Sequence, residues 1–217
     1  MTRHVILFLA ANPSRSSPLA LDQECAAIER ELRMAVHRDD FAFHSKWAVT
    51  VDDMMRHLVE LTPTVLHFSG HGAGPTGSIA GRRDMVAPGA PAPSGIYLQG
   101  DHGEPQLVTA RALQMMIGSA AASARVVVLN ACYSEAQADA VRRVVDCVVG
   151  MAGAIRDDAA RSFAVGFYRA LGSHRSVGNA VDQAVATLAA KGMPDEMLPR
   201  CIARDGVDTY QLFLDRP

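Results

Sequence analysis

Short continuous apolar runs alternate along the chain with longer stretches in which apolar positions recur every third or fourth residue. The first pattern predicts buried strands and the second predicts helices with one apolar face, so the alternation points to an α/β fold. Residues 4–10 read as a strand buried on both faces, because no polar residue interrupts Val5-Ile6-Leu7-Phe8-Leu9. Ser17-Pro18 supplies an N-cap followed by proline at the first helical position. Leu21, Cys25, Ile28 and Leu32 then follow at spacings of 4, 3 and 4, which line one helix face. A second strand is expected over 41–49. Thr50 with Asp53 three residues on opens another helix, in which Met54, Leu58 and Leu61 face inward. A third strand is expected over 64–69.

Residues 72–95 break this rhythm. Gly, Ala and Pro dominate them and Arg82-Arg83-Asp84 is their one charge cluster, which predicts an exposed, mobile loop. Beyond it, 96–99 reads as a short strand, Gly100-Asp101-His102-Gly103 as a turn and 107–117 as a helix. Residues 125–130 form the clearest central strand. A helix over 134–144 leads to a strand over 146–150. Two helices follow, one carrying Ala160, Phe163, Phe167 and Leu171, the other Val177, Val181, Val185 and Leu188. Residues 209–214 complete the pattern as a final edge strand. With no internal repeat and no linker, 1–217 is expected to form one α/β domain.

Composition narrows the function classes. A chain of 217 residues can bury roughly 70% of its unfolded surface, so neither disulfides nor a metal are needed to hold it. Lys and Arg number 21 against 23 Asp and Glu, a net charge of −2. That balance argues against direct nucleic-acid binding through phosphate neutralisation and narrows the partners to proteins. Apolar residues at 49% and charged residues at 20% exclude a wholly disordered chain. No apolar run approaches the ~20 residues of a membrane span. Asn12 and Arg15 follow the first apolar stretch too closely for a signal peptide. Cys25, Cys132, Cys147 and Cys201 lie far apart with no C-x-x-C, which suits reduced thiols in the cytoplasm.

Several motifs carry little chemistry. Gly72-Ala73-Gly74-Pro75-Thr76-Gly77 matches G-x-G-x-x-G after a strand. Prolines follow it where a helix N-terminus should hold a pyrophosphate, and no ribose-binding acid stands about 20 residues on. No nucleotide or other cofactor is expected. His67 and His71 are four apart, but on a strand end and turn, with no matching ligand cluster, so no metal is expected there. His67 reads as a core histidine. His102 and Cys201 stay unassigned, while Cys25 and Cys147 read as packing residues.

His71 and Cys132 are different. Each stands just past the C-terminal end of a predicted strand, in Ser69-Gly70-His71-Gly72 and Asn130-Ala131-Cys132-Tyr133-Ser134. In an open parallel sheet both ends lie on one edge, where ligands bind. An imidazole beside a thiol can take its proton and later return it to a leaving amine. The backbone amides of Gly72 and Cys132 could together hold an oxyanion. A buried structural cysteine is the alternative on composition alone.

Leu66-His67-Phe68-Ser69-Gly70-His71-Gly72 and the run from Val127-Val128-Leu129-Asn130-Ala131-Cys132 through Tyr133-Ser134-Glu135-Ala136-Gln137-Ala138 resemble the two catalytic boxes of the bacterial CHAT family. These are caspase-like peptidases, related to caspases, metacaspases and separase. The likeness extends through Phe8-Leu9-Ala10-Ala11-Asn12-Pro13, Val148-Val149-Gly150-Met151 and Phe163-Ala164-Val165-Gly166-Phe167-Tyr168. It implies a caspase-like three-layer sandwich with a mainly parallel central sheet flanked by helices. It further implies His71 as general base and acid, Cys132 as nucleophile, and an oxyanion hole from the Gly72 and Cys132 amides. Related metacaspases carry an acid two positions before the nucleophile that recognises basic residues; Asn130 stands there in this chain, so a neutral preference becomes open. Asp157 and Asp158 follow the next strand, where this fold class builds a specificity wall, though both also suit the first turn of a helix.

The expectation is therefore a cytoplasmic cysteine endopeptidase acting on a specific protein target, an effector in bacterial defence or signalling. A sensor or activating protein would act in trans, and residues 72–95 could serve as a lid or, at Arg82-Arg83, a self-cleavage site. The alternatives are a non-enzymatic caspase-like adaptor and a nucleotide-binding signalling domain, the latter without a phosphate loop. Substrate, activating signal and oligomeric state stay open.

Overall fold

The computed structural model describes residues 3–14, 16–74 and 94–214. The tail of the glycine motif, Arg82-Arg83 and most of the expected 72–95 loop lie outside them. The chain runs β1 (His4–Ala11), α1 (Leu21–Met34), β2 (Phe41–Trp47), α2 (Val51–Leu61) and β3 (Val65–Gly70). A hairpin of β4 (Gly95–Gln99) and β5 (Pro105–Thr109) follows, then α3 (Ala110–Ala120), β6 (Val126–Asn130), α4 (Glu135–Val141) and β7 (Cys147–Met151). It ends with α5 (Asp157–Leu171), α6 (Val177–Ala190) and β8 (Pro199–Ala203). The six-stranded sheet has the order β2-β1-β3-β6-β7-β8, parallel except for β8, which pairs antiparallel with β7.

Strand periodicity divides the core into two layers. Ile6, Phe8, Val126 and Val128 face a cluster built with Leu21, Ile28, Phe163 and Phe167 of α1 and α5, and with Val177 and Leu188 of α6. Leu7, Leu9, Val127 and Leu129 face the opposite cluster, with Met54, Leu58, Leu113 and Val141 of α2, α3 and α4. This two-sided cover explains why β1, β3, β6 and β7 read as continuous apolar runs. Each fully buried Leu or Phe contributes about 1.5–3 kcal/mol.

Local signals set several boundaries. Thr50 caps α2 as expected: its hydroxyl accepts from the Asp53 amide and the Asp53 side chain accepts from the Thr50 amide. Ser17-Pro18 does not start α1, which begins at Leu21 with Ala20 at its N-cap; the Ser17 carbonyl is used elsewhere. The helix expected over 107–117 is displaced: Pro105–Thr109 pairs antiparallel with β4, and Thr109 caps the helix that follows. Residues 209–214 are not a strand. The carbonyls of Thr209 and Leu212 accept from the Gly178 and Val177 amides at the start of α6, and the Phe213 carbonyl accepts from Arg125. The edge strand is Pro199–Ala203 instead, which brings Cys201 Sγ to 3.1 Å from Cys147 Sγ.

Candidate active site

Parallel pairing of β3 with β6 aligns Ser69 with Asn130. His71 and Cys132 each stand two residues beyond that pair, so both leave the sheet at its C-terminal edge and line one pocket. After Asn130 the chain turns sharply. Tyr133 adopts φ +55°, a left-handed conformation uncommon for a non-glycine residue, and its amide donates to the Gly153 carbonyl at 3.0 Å. Buried Ser134 braces the turn, donating to the Leu129 carbonyl at 2.8 Å and accepting from the Met151 amide at 2.9 Å. The Cys132 thiol points to the Ile155 carbonyl at 3.6 Å.

His71 comes from the other side. Its Nε2 lies 2.9 Å from the Ser17 carbonyl oxygen, and since a carbonyl only accepts, Nε2 carries the proton. That contact leaves Nδ1 as the basic nitrogen. Burial lowers the His71 pKa, against the Ser17 carbonyl and the Asp157 charge, which raise it. Burial raises the Cys132 pKa; the Ile155 contact lowers it and the Asp157 charge raises it further. Both shifts favour the uncharged forms, a neutral imidazole and a thiol. Gly72 packs so tightly on the turn that a Cβ there would overlap the Cys132 carbonyl oxygen and lie 3.3 Å from the Cys132 nitrogen. Among the described residues, neither the Gly72 nor the Cys132 amide donates to a backbone carbonyl.

The inner wall of the pocket is a hydrogen-bonded cluster centred on Glu24, which is 4% exposed on α1. Its Oε1 accepts from His67 Nε2 at 2.8 Å and Asn130 Nδ2 at 2.7 Å, and its Oε2 from the Ser69 hydroxyl at 2.7 Å. With Nε2 donating, His67 Nδ1 accepts from the Tyr168 hydroxyl at 3.1 Å. Burial, aided by the Glu24 charge, pushes the Tyr168 pKa well up and keeps that hydroxyl a donor. Asn130 Nδ2 also donates to the Ala160 carbonyl at 3.2 Å, while its buried Oδ1 has no hydrogen-bond partner.

Asp157 and Asp158 open α5, but only Asp157 lines the pocket. Its Oδ2 accepts from the Ala20 amide at 3.4 Å, joining the starts of α1 and α5. Asp158 turns to the Ala159 amide and to Arg156. His67 is a buried core histidine bonded to Glu24 and Tyr168. The sequence reading missed Glu24, the Ser17 carbonyl and the Ile155 carbonyl. A signal for Glu24 was present: it stands three residues after Leu21 and four before Ile28, on the face that should be apolar. No sequence pattern marks the two carbonyls, which any residue carries.

A family model described as the CHAT domain matches residues 3–200. Among curated proteins, a Roc-COR-CHAT protease from an unknown prokaryotic organism is 25% identical over 198 residues. The match covers 88% of this chain but only 17% of that relative's length. A solved structure of a secreted C11 cysteine protease from Bacteroides thetaiotaomicron, in complex with an irreversible peptide inhibitor, superposes with a TM-score of 0.63 at 14% identity. It covers 93% of this chain and 66% of the other. The Drosophila initiator caspase Dronc superposes with a TM-score of 0.56 at 9% identity, over 97% of this chain and 84% of the other. The fold is caspase-like. No helix among the described residues is long and apolar enough to cross a membrane.

Proposed function

Because the chain belongs to the CHAT domain family, we propose that it is a cysteine endopeptidase working through His71 and Cys132. The observation that carries this reading is the tautomer imposed on His71. The Ser17 carbonyl holds the Nε2 proton and leaves Nδ1 as the base, in the pocket that also receives the Cys132 thiol. Cys132 Sγ attacks the scissile carbonyl carbon while its proton passes to His71 Nδ1. The carbonyl oxygen, now an oxyanion, is held by the Gly72 and Cys132 amides. As the intermediate collapses, the C–N bond breaks and His71 returns the proton to the leaving amine. Water, deprotonated by His71, then attacks the thioester, releasing the new carboxyl terminus and restoring the thiol.

The pocket walls favour a substrate side chain with hydrogen-bond donors, Arg or Lys, before the scissile bond. Position 130 holds Asn, but the carboxylate absent there arrives from α1: Glu24 is bonded to Asn130 itself. Glu24 and Asp157 line the same pocket as Asn130, so a cationic side chain would meet negative charge there. The target is a protein, and a bacterial defence or signalling role with a sensor or activator in trans fits the family.

The test compares the wild-type chain with Cys132→Ala and His71→Ala for labelling by a thiol-directed peptide probe, then maps new N-termini in a mixed proteome. Labelling and new termini that require both residues are expected. Equal labelling of wild type and Cys132→Ala, or no Cys132-dependent cleavage with candidate activators present, would overturn the assignment and favour a non-enzymatic adaptor.

A further inference from the structure

We propose that Cys147 and Cys201 form an oxidisable dithiol, which a small hydroperoxide closes to a disulfide that fastens the edge strand β8 to β7. The two cysteines are 54 positions apart in sequence, and the antiparallel pairing of β8 with β7 brings them together. Both lie on the face of the sheet covered by α5 and α6. Their thiols are free and the sulfurs stand 3.1 Å apart. Cys147 is fully buried at the start of β7, while Cys201 is partly exposed in β8.

The register makes the two cysteines diagonal neighbours: Cys147 pairs with Ala203 and Cys201 with Val149. Diagonal Cα atoms stand about 7–8 Å apart, and a disulfide spans up to about 6.8 Å. Closure therefore needs β8 to shift by about 1 Å as the sulfurs approach to bonding distance. β8 can make that shift because, among the described residues, it is paired on one side alone. No other thiol competes. Cys147 is level with Val126, at the opposite end of β6 from the turn that carries Cys132. Cys25 bonds to Ser45 of β2, four strand spacings from β7, or about 19 Å.

The two sulfurs take different parts. The hydrogen bond from Cys147 to Cys201, together with burial, raises the Cys147 pKa. The same bond lowers the Cys201 pKa, against burial and the Asp182 charge, which raise it. Cys201 is thus the more acidic thiol, and it is the one that solvent reaches. Its thiolate sulfur attacks one peroxide oxygen, the O–O bond breaks, and the leaving hydroxide takes up the proton that Cys201 released. The Cys147 sulfur then attacks the Cys201 sulfenic acid; the S–O bond breaks and the hydroxyl departs with the Cys147 proton. Two thiols and one peroxide become one disulfide and two waters. The strand so fastened follows a segment that supports the pocket. The Leu198 carbonyl accepts from the Ala152 amide and Asp195 from Arg156, on either side of the Gly153 and Ile155 carbonyls that face Tyr133 and Cys132.

The test uses the folded chain carrying Cys132→Ala, so its outcome is independent of the protease reading. Excess hydrogen peroxide should remove two hydrogen atoms from the mass of the chain and leave Cys25 as the one thiol open to alkylation in denaturant. Peptide mapping should show Cys147 joined to Cys201, and a dithiol reductant should reverse the link. With Cys147→Ala added, the reaction should stop at the Cys201 sulfenic acid, which dimedone traps. With Cys201→Ser added, Cys147 should keep its thiol. Circular dichroism matching the parent in reductant establishes that both variants fold. The proposal is overturned if the folded parent keeps all three thiols or if the link includes Cys25 or joins two chains. It is equally overturned if Cys201 passes to sulfinic acid while Cys147 stays free, or if folded Cys147→Ala yields no dimedone adduct at Cys201.

Discussion

Gly72 meets Cys132 backbone to backbone: a single methyl group at Gly72 would occupy the space of the Cys132 carbonyl oxygen. The turn cannot yield cheaply, because the next amide, that of Tyr133, is bonded to Gly153 and Ser134 is bonded to Leu129 and Met151. Gly72→Ala should therefore cost about 1–3 kcal/mol of stability through overpacking. It should also slow covalent labelling of Cys132 about 100-fold, since displacement of the reacting groups by ~1 Å carries a penalty of that order. Denaturant unfolding and probe kinetics on the same preparation separate the two effects.

The pH dependence of Cys132 labelling follows from the directions of the two pKa shifts. Burial lowers His71, so the acid limb should fall below the ordinary imidazole value of about 6.5. Burial raises Cys132, so the alkaline limb should lie above the ordinary thiol value of about 8.5. Reactivity should be flat between them.

Asp157→Asn provides a sign test. Loss of the negative charge disfavours the imidazolium, which lowers the His71 pKa further, and favours the thiolate, which lowers the Cys132 pKa. Both limbs should move to lower pH together. Movement of either limb upward contradicts the assigned contacts.

Glu24 accepts from three buried donors. Glu24→Leu leaves His67 Nε2 and the Ser69 hydroxyl without their acceptor and Asn130 Nδ2 with only the Ala160 carbonyl, and should cost about 3–5 kcal/mol, as breaking a buried charge-assisted cluster does. Glu24→Gln retains the shape but turns an amide donor toward other donors. In a folded Glu24→Gln chain, the kcat/KM ratio for Arg over norleucine before the scissile bond should drop by at least about tenfold, the equivalent of ~1.4 kcal/mol. An unchanged ratio would remove Glu24 from the specificity determinants.

Two hydroxyl deletions should rank by burial. Thr50→Ala removes the partly buried cap of α2 and should cost about 1 kcal/mol. Ser134→Ala strands the buried Met151 amide and the Leu129 carbonyl, and should cost more, about 1–3 kcal/mol for each group left unpaired. Urea midpoints measured side by side decide the order.

Legibility followed the range of the interaction that decides each element. The α2 start was readable because Thr50 and Asp53 bond to each other three residues apart. The Val126–Asn130 strand was readable because burial on both faces writes itself as an unbroken apolar run. Pro105–Thr109 was not, because an exposed hairpin strand with the burial of one residue has no such run, and its partner β4 decides its pairing. Residues 209–214 carry strand-like alternation, with Leu212 and Leu214 buried, yet their carbonyls are taken by α6 and Arg125.

By itself the sequence determined the α/β alternation, the strand ends that carry His71 and Cys132, and the family to which those boxes belong. These are local or patterned features, and short-range physics leaves them visible in residue order. Only the tertiary structure decided that the Ser17 carbonyl sets the His71 tautomer, that Glu24 comes to Asn130 across 106 positions, and that Cys201 meets Cys147. Each depends on which helix or strand packs against which, and that is governed by burial of the whole chain.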